Sequence, residues 1–230
     1  MEHNMFTKYK NTHSLIHIYL DLAAYGLIPG FTIYFVKGSN WFTTNFSVLG
    51  NGLQKQHAFS FWGLLVGIYF FVILQMISRY LIPAPKGTFF IPSALLLLTF
   101  AITTPYLPNQ FPLKSFLHVV FAFLAAVSLA FFLILLIWDL SHRIPDQFRC
   151  YQIGLYLILL FSAVLLLAAG IISSALEIFF TISVTLYCRR LEQKLFTVKV
   201  PCHGAELCKN GAANQHHPYT FSTHPPDHLQ

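Results

Sequence analysis

The chain has 230 residues, 56% of them hydrophobic and only 10% charged, with 14 Lys and Arg against 8 Asp and Glu for a net charge of +6. Soluble globular domains carry about 25% charged residues, so this composition argues against one and indicates a membrane protein. A nucleic-acid partner is excluded as well, because the basic residues lie scattered at the ends of apolar runs instead of forming a stripe.

Residues 1–14 make a short N-terminal segment. The apolar run that follows lacks a small-residue cleavage pattern and is expected to stay as an anchor. Apolar runs of about 17 to 23 residues suit helices that cross roughly 30 Å of hydrocarbon. They place spans at 15–36, 58–78, 89–105 and 116–138, followed by one long stretch over 153–188. As a single helix that stretch would measure about 54 Å, so it should fold back as 153–170 and 173–188. The reversal falls at "AGIISS" (169–174), where Gly170 and two serines supply a turn.

With six crossings and a cytoplasmic N-terminus, only Lys37, Lys55 and Lys114 lie outside, and the other eleven Lys and Arg lie inside. The sequence therefore predicts an all-α, multi-pass integral membrane bundle of six transmembrane helices over 15–190, in a cell membrane, with both termini cytoplasmic. "RYLIPAPKG" (79–87) and "SHRIPDQFR" (141–149) become short cytoplasmic connections stopped by proline, and "PYLPNQFPLK" (105–114) a rigid outer turn. Residues 191–230, rich in His, Pro and Asn, read as a mostly disordered cytoplasmic tail. The four cysteines fall at or beyond cytoplasmic helix ends, where thiols stay reduced, and imply no disulfide framework. The Cys-x5-Cys spacing of "CHGAELC" matches no structural zinc pattern, which leaves Cys202, His203 and Cys208 as metal candidates on composition alone.

The first outer loop, "SNWFTTNFSVLGN" (39–51), is polar between two greasy segments. Trp41, Phe42 and Phe46 suit the interfacial zone. The amides and hydroxyls of Asn40, Thr43, Thr44, Asn45, Ser47 and Asn51 need water or partners, so the loop is in water or folded over the bundle top. It is either a structural cap with Gly50 and Gly52 making the turns, or a lid over an outward-facing polar site. Residues 45–47 also match a glycosylation sequon.

Inside the bilayer, Asp21 has His17 one turn before it on the same face, and it should face the bundle interior, a partner or the cytoplasmic water layer. His57, His118 and Glu177 fall at similar depth beneath the first outer loop. Together they could bind metal, share a proton or serve as general acid and base, although no HExxH, CxxC or GxSxG pattern accompanies them and no motif names a cofactor. Gln75 and Ser162 predict interhelical hydrogen bonds, and Gly63 and Gly67 a small-residue face for close helix packing.

The six-helix plan, the "NFSVLG" core of the first outer loop (45–50), the "FLHVVFAFLA" start of the fourth helix and the "SSALEIFF" of the sixth resemble the DRAM/FRAG/SFK-type membrane proteins and their bacterial relatives. The likeness spans roughly residues 18–190. It implies a multi-pass protein tied to lipid handling, membrane scaffolding or stress responses, with Ser47, Gly50 and His118 at the group's recurring positions. The leading reading is thus a non-enzymatic membrane protein that engages membrane lipid headgroups or a protein partner through its outer polar cap, with Asn45, Ser47, Gly50, His118 and Glu177 as binding residues. The alternative is a membrane-embedded lipid-modifying hydrolase or transferase using His57, His118 and Glu177.

Overall fold

A computed structural model describes residues 15–52, 55–81 and 84–198, which form seven helices and no strand. The candidate metal ligands Cys202, His203 and Cys208 lie outside the described residues. Six long helices alternate in direction: α1 (Leu15–Phe35), α3 (Gln56–Tyr80), α4 (Phe90–Thr103), α5 (Pro112–Arg143), α6 (Pro145–Ala169) and α7 (Ser174–Thr197). A short α2 (Phe46–Gly52) lies between the first two.

Four of them, α1, α3, α5 and α6, are long and apolar enough to cross a membrane, as in a multi-pass membrane protein. The surface agrees with this. α6 buries little beyond Phe148, Leu155 and Ser162, and leaves Leu157, Leu160, Phe161 and Leu167 exposed. An apolar face of that extent calls for lipid or a partner rather than water. At 14 residues α4 is shorter, about 21 Å. The last turns of α7 carry Arg189, Arg190, Glu192 and Lys194.

Local sequence explains the helix breaks. In α1 the turn over Ala23–Leu27 is widened, and the Ile28 N–H reaches the Ala23 carbonyl. Pro29 follows directly; it has no N–H and its ring crowds the carbonyl four residues back, so the helix opens at that point. α6 ends at Gly170 in the left-handed region (φ +66°), and Ser173 then caps α7 by accepting from the Leu176 N–H. The stretch over 141–149, expected as a connection, is helical except at Ile144. A residue before proline is pushed out of the helical region, so Ile144 alone makes the break and Pro145 opens α6. α5 also exceeds the expected 116–138. It starts on Pro112 and runs on to Arg143, which pairs with Asp139 one turn back at 2.8 Å.

α3 is central, packing on α1, α2, α4 and α7. Its small-residue face meets α4: a Cβ at Gly63 would stand 2.5 Å from Ile102 Cγ2, and one at Gly67 3.0 Å from Leu98 Cδ2. The core below includes Ile73, Leu74 and Ile77 of α3 and Phe132, Leu133, Leu136 and Ile137 of α5, all essentially inaccessible, together with Ile28 of α1, Leu155 of α6 and Val184 and Leu191 of α7. Ser162 does not bond across helices as expected. Its hydroxyl turns back to the Ile158 carbonyl of its own helix at 2.8 Å.

Replacing Gly63 by Leu should therefore wedge α3 from α4 and lower stability by about 1 to 3 kcal/mol, read as a lower Tm in detergent. Gly154→Ala, where a Cβ meets nothing within 4 Å, should leave the Tm unchanged or slightly higher.

Candidate functional site

Two polar centres occupy opposite ends of the bundle. At the end capped by α2, the segment from Trp41 to Gly50 folds over the helices and is tied to α7. The first N–H groups of a helix have no partner within it. Here the Ser174 N–H donates to the Thr44 carbonyl (2.7 Å) and the Ala175 N–H to the Trp41 carbonyl (2.8 Å). α7 returns the exchange, because the Glu177 carboxylate accepts the Phe46 N–H at 2.8 Å. Asn45 accepts the Val48 N–H at 2.8 Å through its side chain and so starts α2.

This stitching drives Phe46 inward. Its ring is fully buried, 4.7 Å from that of Trp62 and 5.3 Å from that of Phe35, and not in an interfacial layer as the sequence suggested. Trp41 and Phe42 do stay exposed. Gly50 makes no turn. It lies within α2, and a Cβ there would stand 2.9 Å from Phe59 Cβ, so its bareness lets α2 rest on α3.

The next residue, Ser47, is buried, with its hydroxyl 2.6 Å from His118 Nε2. On the other side of the ring, His118 Nδ1 lies 2.9 Å from the Thr104 carbonyl at the end of α4. A carbonyl only accepts, so Nδ1 carries the proton and Nε2 offers its lone pair to the Ser47 hydroxyl, which donates. The ring sits between Phe59 and Tyr106 at centroid distances of 6.0 and 5.6 Å. Asn45, Ser47, Gly50, His118 and Glu177 thus come together around α2. His57 does not join them. It lies exposed at the start of α3, and no group of three metal-ligating side chains exists among the described residues.

Ser47, His118 and Glu177 line the polar end of a cavity of about 400 Å³ that runs down the bundle between α3, α4, α5, α6 and α7. Its walls are otherwise mostly apolar, with the Ser162 and Thr181 side chains the polar exceptions among the described residues. Ala122, Ala125, Ala126 and Ala130 on α5 leave the space, and Phe71 and Phe123, both exposed, stand at its margin. Among the described residues no Lys or Arg lines it.

The second centre joins the first and last helices. Arg189 Nε donates to Asp21 Oδ1 at 2.6 Å and Arg189 Nη2 to the His17 carbonyl at 3.1 Å, while Nη1 donates to Glu192. Gln193 adds a bond to Asp21 at 3.0 Å, and His17 Nδ1 lies 3.4 Å from Glu192 Oε1. The Arg189 and Glu192 side chains are 2% and 0% exposed, against 42% for Asp21. Asp21 does face a partner, but sequence reading had counted Arg189 only as a basic helix end. The available signal was the Arg189-x-x-Glu192 spacing, which puts opposite charges on one helix face.

Comparison of the chain with protein-family models, curated proteins and solved structures finds no match in any of the three.

Glu177→Leu should free the Phe46 N–H, with about 10- to 100-fold faster hydrogen exchange at Phe46, whereas Glu177→Gln keeps an acceptor and should stay near the wild-type rate. At the other end, Arg189→Met strands the fully buried Glu192 and should cost about 3 to 5 kcal/mol in thermal unfolding. Adding Glu192→Gln should recover part of that loss.

Proposed function

We propose that this chain crosses a cell membrane six times with both termini cytoplasmic, and that it binds a membrane lipid by one acyl chain, holding the polar end beneath the α2 cap. The observation that carries this reading is the cavity, because its chemistry changes along its length in the way that an amphipathic molecule does. Ser47, His118 and Glu177 gather at one end, and the rest is mostly apolar, lined by Phe70, Leu74, Ile91, Leu98 and Leu129 with the lone hydroxyls of Ser162 and Thr181. From Phe59 to Leu74 along α3 the lining extends about 22 Å, more than the roughly 15 Å depth of one leaflet's hydrocarbon. The volume of about 400 Å³ falls within the range of small-molecule sites.

The placement of charge supports the orientation. Among the described residues, Arg79, Lys86, Arg143, Arg149, Arg189, Arg190 and Lys194 belong to the end opposite α2, and only Lys37, Lys55 and Lys114 to the capped end. By the bias of basic residues toward the cytoplasm, the cap faces outward. The resemblance to DRAM/FRAG/SFK-type proteins, with Ser47, Gly50 and His118 at the group's recurring positions, points toward lipids as well.

Protein purified in mild detergent should retain one lipid per chain by native mass spectrometry. Ala126→Phe, which fills the cavity from α5, should remove that lipid while the protein stays monodisperse. Equal lipid retention in both forms would contradict the reading.

A further inference from the structure

We propose that Ser47 is a nucleophile with His118 as its general base, and that the site hydrolyses a neutral acyl ester whose chain occupies the cavity. The inference rests on the lipid reading above and adds a chemical step to it. A serine becomes nucleophilic when a base accepts its proton and a third group holds that base in the required tautomer. All three parts are present. The Ser47 hydroxyl and His118 Nε2 lie 2.6 Å apart, inside the range for proton transfer, and the Thr104 carbonyl fixes Nδ1 as the protonated nitrogen.

The pairing is not needed to satisfy a helical hydroxyl in this protein. Ser93, Thr99, Thr103, Thr104, Ser162 and Thr197 all bond back to carbonyls three or four residues earlier. Ser47 meets an imidazole from a different helix. It does so at the boundary between the polar and apolar parts of the cavity, where a lipid inserted by its acyl chain places its ester carbonyl. Glu177, also lining the cavity, acts as a positioning residue, because it holds the N–H of Phe46, the residue next to the nucleophile.

The cavity's charge selects the substrate class. Among the described residues it is lined by one carboxyl group and no Lys or Arg, so a phosphate would find no Lys or Arg counter-ion there. An uncharged ester, as in a monoacylglycerol, meets no such penalty. In the first step Ser47 Oγ gives its proton to His118 Nε2 and attacks the carbonyl carbon. The ester C–O bond breaks, and the leaving alcohol takes that proton. Water from the adjacent aqueous face then gives a proton to Nε2 and attacks the acyl-serine. The fatty acid departs, and Ser47 Oγ recovers its proton.

The full chain in nanodiscs, treated with a long-chain alkyl fluorophosphonate and mapped by peptide mass spectrometry, tests the proposal. The expected result is an adduct on Ser47 as fluoride leaves, with labelling at least ~100-fold slower in His118→Gln. The same wild-type protein should release fatty acid from a monoacylglycerol and leave a phosphate-bearing acyl ester intact. No adduct on Ser47 in wild-type protein that retains its lipid would overturn the nucleophile and leave the binding reading standing. Equal labelling in a folded His118→Gln would overturn the base. Equal hydrolysis of the phosphate-bearing ester would overturn the substrate class.

Discussion

The capped end of this protein depends on one constraint: backbone N–H groups at a helix start must find acceptors where water is scarce. α7 begins against the folded segment over 41–46, and its first amides take the carbonyls of Trp41 and Thr44. In return, the Glu177 carboxylate takes the amide of Phe46. Each side supplies what the other lacks, so neither is satisfied alone. With Phe46 held there, its ring lies against Phe35 and Trp62, and the hydroxyl of the following residue meets His118. A polar loop thereby becomes part of the core.

The apolar middle is shaped by small residues as much as by large ones. Gly63 and Gly67 let α4 close on α3, while the alanines of α5 hold open the space beside them. Tight contact and cavity thus lie side by side. Polar bonds fasten the frame around both: Trp62 Nε1 to the Thr32 hydroxyl at 2.9 Å, and the Tyr69 hydroxyl to the Thr185 carbonyl at 3.0 Å. These bonds hold α1 and α7 against α3 and keep the lining of the cavity in register.

Much of the fold could be read from run lengths, since bilayer thickness and helix rise leave few choices. Gly170 and the serines after it marked the last reversal because a left-handed residue and a hydroxyl cap have recognisable chemistry. α2 was harder to see. Seven residues with two glycines carry almost no helical signal, and the helix persists through packing on the adjacent α3 and a hydrogen bond to Glu177 of α7, far away in sequence. The site was half legible. Depth along each helix brought His57, His118 and Glu177 to one level, but depth does not give the direction around the helix axis, and His57 is exposed and does not line the cavity. Ser47 stood out as a polar residue needing a partner, yet the Thr104 carbonyl that orients its base is a backbone atom with no signature in composition.

Arg189 and Asp21 are separated by 168 positions, and they meet only when the last helix docks on the first. On a ribosome adding 5 to 20 residues per second, the acid of the first helix precedes its counter-ion by roughly 8 to 34 s. Through that interval the Asp21 carboxylate is without its Arg189 partner. A chain cut short before residue 189 therefore leaves the acid of its first helix without the guanidinium that the full chain supplies.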